Sequence, residues 1–134
     1  MQKVYLAGGM RTPWRATIKE DCPGFIWADP QSKPEGSEDT ARLTTEEYGA
    51  WNKHAIHTSS IVFAYMEREN PSGIGLAIDI AYAKAQGKTV ILVLEPHNEV
   101  ILDRYLAGLK NVADVVFDNL DEGLAYLHLF STNK

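Results

Sequence analysis

Along the chain, short continuously apolar runs alternate with stretches of helical periodicity. Lys3 to Ala7 (KVYLA), Phe25 to Ala28 (FIWA), Ile61 to Tyr65 (IVFAY), Thr89 to Leu94 (TVILVL) and Asp114 to Phe117 (DVVF) are the apolar runs. They are rich in Val, Ile and aromatics, and they carry no polar alternation. That pattern predicts strands buried on both faces, as in a parallel sheet.

Helical patterns separate several of these runs. Thr44-Thr45-Glu46-Glu47 opens one, with Thr44 as N-cap and Glu47 closing a capping box, and it runs to about Thr58. The next spans Ile74 to Gln86 and stops at Gly87, a C-cap residue. Two more cover Glu99 to Leu109 and Asp121 to Phe130. Strands alternating with helices predict an α/β domain, a flavodoxin-like doubly wound sheet of five parallel strands in the order 2-1-3-4-5, with helices on both faces. One domain over residues 1–134 is expected.

In such sheets a ligand binds beyond the carboxyl ends of the strands, at the point where strand order reverses. Strand one ends at Gly8-Gly9-Met10-Arg11, and strand three ends at Met66-Glu67-Arg68-Glu69-Asn70, leading into Ser72-Gly73-Ile74-Gly75. The polar stretch from Gln31 to Arg42 is either a lid over this site or a slack connection.

Composition narrows the partners. Of 134 residues, 45% are hydrophobic and 23% charged, the balance of a soluble globular protein. A net charge of −5 without a Lys/Arg cluster argues against nucleic-acid polymers, while leaving a small nucleotide open. No apolar run reaches the length of a membrane span and no signal peptide is visible, so a cytoplasmic protein is expected. Cys22 is the single cysteine, which leaves no disulfide framework. His54 and His57 share a helix face but lack an evident third ligand, so no metal site is expected.

One residue breaks the pattern. Asp79 lies in the most apolar helix, on a face with Gly75, Leu76, Tyr82 and Ala83. A buried carboxylate needs partners or becomes protonated. Asp79 therefore either accepts structural hydrogen bonds or works as a perturbed acid in the cleft.

Three blocks place these residues in a wider context. VYLAGGM (Val4 to Met10), WNKHAIHTSSIVFAYM (Trp51 to Met66) and SGIGLAIDIAYAKAQGKTVILV (Ser72 to Val93) resemble the nucleoside 2-deoxyribosyltransferase family and its relatives, the 2′-deoxynucleoside 5′-monophosphate N-glycosidases. The third block is the most specific. The resemblance implies cleavage or transfer of an N-glycosidic bond, with a carboxylate nucleophile and a covalent glycosyl-enzyme. Asp79 falls where the family carries its nucleophilic glutamate, and Tyr5 falls where a tyrosine supports that acid. Asn52 matches an Asp or Asn lining the sugar and base pocket. Gly8, Gly9 and Met10 would form the floor, and Ser72, Gly73 and Gly75 would offer donors at a helix N-terminus.

Arg11 and Arg15 suggest a clamp for a 5′-phosphate, Trp14 and Trp51 suggest stacking on a base, and Glu69 suggests a ribose contact. Trp27 reads as core. The chemistry calls for no cofactor, and the partner is a small nucleoside or nucleotide. The resemblance also implies a homo-oligomer whose neighbour helps close each pocket, and the apolar excess of the last helix (Leu124, Tyr126, Leu127, Leu129, Phe130) suggests where copies meet. Two positions depart from the family pattern: Asp79 is one methylene short, and Ala81 replaces a glycine. Both favour the alternative, a non-catalytic module that binds or senses a nucleotide.

Overall fold

Five parallel strands form one sheet in the order β2-β1-β3-β4-β5. They are β1 (Lys3–Gly8), β2 (Ile26–Ala28), β3 (Ile61–Met66), β4 (Thr89–Leu94) and β5 (Val115–Phe117). Among the described residues, α1 (Trp14–Asp21), α2 (Thr45–His57), α3 (Gly73–Ala85) and α4 (Val100–Val112) lie between successive strands, and α5 (Leu120–His128) follows the last. The computed structural model describes residues 1–31, 44–70, 73–97 and 100–131. The Pro/Ser-bearing stretch after Gln31, read as lid or connection, lies outside them up to residue 43.

Alternation along the strands sorts the core into two layers. Tyr5 and Ala7 of β1 share one layer with Val62, Ala64 and Met66 of β3, beneath Leu76, Ile80 and Ala83 of α3 and Leu106 and Leu109 of α4. Val4 and Leu6 point the other way, to Phe63, Tyr65, Ile91 and Val93, and meet Trp14 and Ile18 of α1 and Leu127 of α5. This parity has a functional consequence. It sends the Tyr5 side chain toward α3 and Tyr65 toward α1.

The expected helix signals hold. Thr44 Oγ1 accepts from Glu47 N–H at 3.1 Å, while Glu47 Oε1 accepts from Thr44 N–H at 2.9 Å. Gly87 ends α3 at φ +75°, with its own N–H bonded to Lys84 O and that of Lys88 to Ala83 O.

Three expectations need correction. The outer strands are not buried on both faces: Ile26 of β2 is 51% exposed and Val116 of β5 39% exposed, because each edge strand has only one neighbour. α1 went unread, because WRATIKED has a polar surface face, no side-chain cap and a charged residue, Arg15, at a buried position. α3 is not buried all round, since Ile74 and Ile78 lie on its solvent side. No helix among the described residues is long and apolar enough to cross a membrane.

Candidate active site

At the carboxyl end of β1, between α2 and α3, the chain encloses a pocket of about 430 Å³. Tyr5, Gly8, Gly9 and Met10 line it from β1 and the following turn, and Arg15 lines it from α1. Pro30 contributes from beyond β2, Gly49, Asn52 and Lys53 from α2, and Gly75, Ile78 and Asp79 from α3. This is the switch point, where β1 is flanked by β2 on one side and β3 on the other.

Two side chains meet in its wall. The Tyr5 hydroxyl donates to Asp79 Oδ2 at 3.4 Å. Tyr5 is buried, and burial together with the Asp79 charge pushes its phenol well above the ordinary tyrosine range. It therefore stays protonated and serves as a donor at any working pH. Asp79 is half-buried, open to the pocket on one side.

The floor is held from below. Arg15 is 1% exposed, and its guanidinium donates to three backbone carbonyls: Leu6 at 3.2 Å, Gly9 at 2.8 Å and Gly8 at 2.8 Å. Its Nε lies 3.6 Å from Asp29 Oδ1. Asp29 in turn accepts from Lys19 Nζ at 2.6 Å and from Gln31 N–H at 2.8 Å. Burial opposes the Asp29 charge, but the Lys19 and Gln31 bonds more than offset it and hold the carboxyl below its ordinary range. Burial likewise pulls the Arg15 guanidinium down, against the opposing pull of Asp29.

Asn70 closes the floor on the β3 side. Its Oδ1 accepts from Arg11 N–H at 3.2 Å, and its Nδ2 donates to Glu67 Oε1 at 2.8 Å and Thr12 Oγ1 at 3.3 Å. Gly9 packs so closely that any Cβ there would collide with the Asn70 side chain.

Of the residues expected at the site, Tyr5, Gly8, Gly9, Met10, Asn52, Gly75 and Asp79 come together in this pocket. Arg11 is exposed and outside the lining, offering only its backbone N–H to Asn70. Trp14 is a core residue. Its ring stacks edge-on with Tyr65 at 5.3 Å, its Nε1 donates to Gly9 O, and the Arg15 Cζ sits 4.5 Å over it. Trp51 is partly buried against the α3 layer, while Glu69 and Gly73 are exposed, and none of the three lines the pocket. Ser72 lies outside the described residues. The Arg15 donors go to carbonyls rather than to an open anion site.

Sequence reasoning missed Lys53, Ile78, Gly49 and Pro30 in the lining, and Asn70 beneath it. Helical spacing carried a signal for two of them. Ile78 stands three residues after Gly75 and Lys53 four after Gly49, so each shares a helix face with another residue of the lining. His57 Nδ1 lies 2.8 Å from Gln86 Oε1, and no group of three or more potential metal ligands forms among the described residues.

Comparison with known proteins gives a family and a fold. Residues 1–97 match the family model described as nucleoside 2-deoxyribosyltransferase like. No curated protein matches the chain in sequence. Among solved structures, a 2-desoxiribosyltransferase from Leishmania mexicana superposes with a TM-score of 0.68 at 18% identity, covering 97% of this chain and 99% of that one. A CMP N-glycosidase from Clostridium botulinum gives 0.59 at 20% identity, covering 96% and 99%. A 2-deoxyribosyltransferase from Bacillus psychrosaccharolyticus gives 0.65 at 16% identity, covering 97% and 93%. At these identities the three share the fold.

Proposed function

The chain belongs to the nucleoside 2-deoxyribosyltransferase-like family, and from that premise we propose that it breaks the N-glycosidic bond of a nucleoside or nucleoside 5′-monophosphate with Asp79 as nucleophile. The observation that carries this reading is the pairing of Asp79 with a protonated tyrosine inside a pocket at the switch point. In the first step an Asp79 oxygen attacks the anomeric carbon. The carbon–nitrogen bond breaks, its electron pair leaves with the base, and the base takes a proton. In the second step water, or another base, attacks the same carbon, the carboxylate departs, and the nucleophile releases to solvent a proton that balances the one the first base took from it. Splitting one displacement in two lowers each barrier.

The Tyr5 bond holds one carboxylate oxygen and fixes the plane from which the other attacks. Asn52 faces the pocket as a neutral hydrogen-bonding side chain for sugar or base. Lys53 brings a cation into the same lining and has no hydrogen bond or ion pair among the described residues. It supports a substrate with an anionic group, hence the monophosphate. Transfer and hydrolysis share the first half-reaction, and both chemistries are named among the structural neighbours.

The active form is a homo-oligomer in this reading. Ile74 is 82% exposed and Ile78 59% exposed along α3, and Ile78 lines the pocket, so a second copy on this face would cover both. The last helix serves this less, because Leu127 is buried, Leu124, Tyr126 and Phe130 pack on the core, and Leu129 alone of those five is exposed.

The test is chromatographic. Purified protein and its Asp79→Ala variant are incubated with 2′-deoxynucleosides, ribonucleosides and their monophosphates, with and without a second free base. Free base released only by the wild type supports the proposal, and a new nucleoside in mixed-base samples makes the enzyme a transferase. The shorter reach of Asp79 favours a second reading, a nucleotide-binding module. Ligand bound but returned intact from every incubation would establish that module instead.

A further inference from the structure

We propose that Gly49 of α2, together with Gly75 of α3, sets which bases this pocket accepts: their two missing side chains leave a slot between the helices for the flat ring of a nucleobase. The inference rests on the nucleotide reading above, with Asp79 as the acid that meets the sugar.

A glycine inside a helix calls for a reason, because only proline is less favourable there. Two reasons are usual, and neither applies here. The first is a positive φ, which among the described residues belongs to Gly8, Gly24 and Gly87. The second is close packing. At Gly9 and Gly123 a Cβ would collide with Asn70 and Val93. At Gly49 and Gly75 it would meet no atom within 4 Å among the described residues. Gly49 is the fifth residue of α2 and Gly75 the third of α3. Both line the pocket, so the open space over each is pocket space. Gly108 of α4 has the same open space but does not line the pocket, which makes it the control.

The neighbours of the two glycines say what the slot takes. On α3, Ile78 and Asp79 stand three and four residues beyond Gly75, and all three line the cavity. Ile78 is 59% exposed, and Met10, from the turn after β1, is 43% exposed. Two apolar side chains from different elements therefore open on the same cavity. A flat, largely apolar ring removes such surface from water, and it is thin enough to lie against helix backbone bared of side chains. Asp79 supplies the direction. The base is bonded to the very carbon that this carboxylate attacks, so the ring lies beside the Gly75 to Asp79 turn, with Gly49 on the α2 wall.

The test reads binding and stability rather than turnover. In an Asp79→Asn background, which blocks bond cleavage, calorimetry measures affinity for three probes. They are 2′-deoxyguanosine 5′-monophosphate, 2′-deoxycytidine 5′-monophosphate and 2-deoxyribose 5-phosphate, the last lacking a base. Gly49→Ala and Gly49→Leu should each raise the thermal midpoint, because both are better helix formers. Gly49→Leu should weaken both nucleotides by about tenfold or more, and Gly49→Ala should weaken the guanine nucleotide more than the cytosine one. The sugar phosphate should bind as it does to the parent. Gly108→Ala should gain stability and bind all three probes unchanged. A variant that is more stable yet binds bases worse has not lost its fold.

Unchanged nucleotide affinity in Gly49→Leu overturns the proposal. So does an equal loss for the sugar phosphate, which would put the sugar in the slot. A lowered thermal midpoint overturns it as well, since the chain itself would then fill the space, and so does a parent that binds neither nucleotide. Nucleotides bound in the slot, with no base released by the wild type, would remove the glycosidase reading and leave the slot standing. Base released by the wild type, with unchanged affinity in Gly49→Leu, would do the reverse.

Discussion

The Tyr5 hydroxyl meets Asp79 Oδ2 at 3.4 Å, joining the middle of β1 to α3 across 74 positions of sequence. Strand parity makes the meeting, since Tyr5 shares its face of the sheet with Ala7 and the α3 layer. A bond to a charged group contributes about 1.5–3 kcal/mol, and at this length the lower end applies. Tyr5→Phe should therefore lower kcat about tenfold with KM little changed, measured as base release. An unchanged kcat would mean that Tyr5 only packs.

The reach of the acid is the next thing to vary. The pocket here surrounds an aspartate, and adding a methylene displaces the attacking oxygen by more than an ångström. Misplacement of that size costs about a hundredfold in rate. Asp79→Glu should lose activity on that scale and Asp79→Ala should lose it entirely. Wild-type rates in both would remove Asp79 from the chemistry.

Most of the frame was legible because hydropathy records it directly. The apolar runs become β1, β3 and β4, the capping box of Thr44 and Glu47 starts α2, and Gly87 stops α3. The pocket's chemistry was legible only in part. Asp79 stood out as an acid in an apolar helix, and Tyr5 was singled out only by the family resemblance; both line the pocket. Arg15 was misread for the opposite reason. An arginine beside a glycine turn looks like an anion clamp, and nothing local says that its donors go to Leu6, Gly8 and Gly9 carbonyls. Trp14 was misread likewise, since its burial depends on Tyr65, which is fifty-one residues away by numbering. Asn70 was placed in the switch-point segment but given no role, because its partners Arg11 and Thr12 arrive from the turn after β1.

That Asn70 contact gives a stability prediction. A methyl on Gly9 collides with Asn70, and overpacking of this kind costs about 1–3 kcal/mol. Gly9→Ala should lower the urea midpoint accordingly. Asn70→Ala should also destabilise, because it removes the bonds to Arg11, Thr12 and Glu67. In the double variant the two losses should sum to less than their separate values, since the side-chain part of the collision is gone while the Asn70 carbonyl oxygen still stands 2.5 Å from the added methyl. Strict additivity would show that the backbone moves rather than the side chain.

Asp29 gives a pH prediction. Its folded value lies below the ordinary 3.8, so it stabilises the fold above that pH and loses the contribution as pH falls through it. Asp29→Asn should lower the thermal midpoint at neutral pH and flatten its fall between about pH 5 and pH 2. Part of the fall will persist, because Asp114, held low by Lys84 and the Val90 N–H against its own desolvation, titrates the same way. Parallel curves for the two proteins would mean that Lys19 and Arg15 contribute no net stability through Asp29.

The exposed edge of α3 is where the proposed assembly is tested. Ile74 is 82% exposed and does not line the pocket, whereas Ile78, one turn on, does. Ile74→Asp therefore probes an interface without placing a charge beside Asp79. An acid in the first turn of α3 also suits the helix dipole, so the monomer fold should hold or gain a few tenths of a kcal/mol. Wild-type protein should sediment as an oligomer at micromolar concentration and Ile74→Asp as a monomer. If a second copy covers the pocket mouth, base release should fall together with the loss of association and recover as protein concentration rises. A wild type that sediments as a clean monomer removes the neighbour from the site, and the two isoleucines must then be explained as contacts to substrate or to nothing.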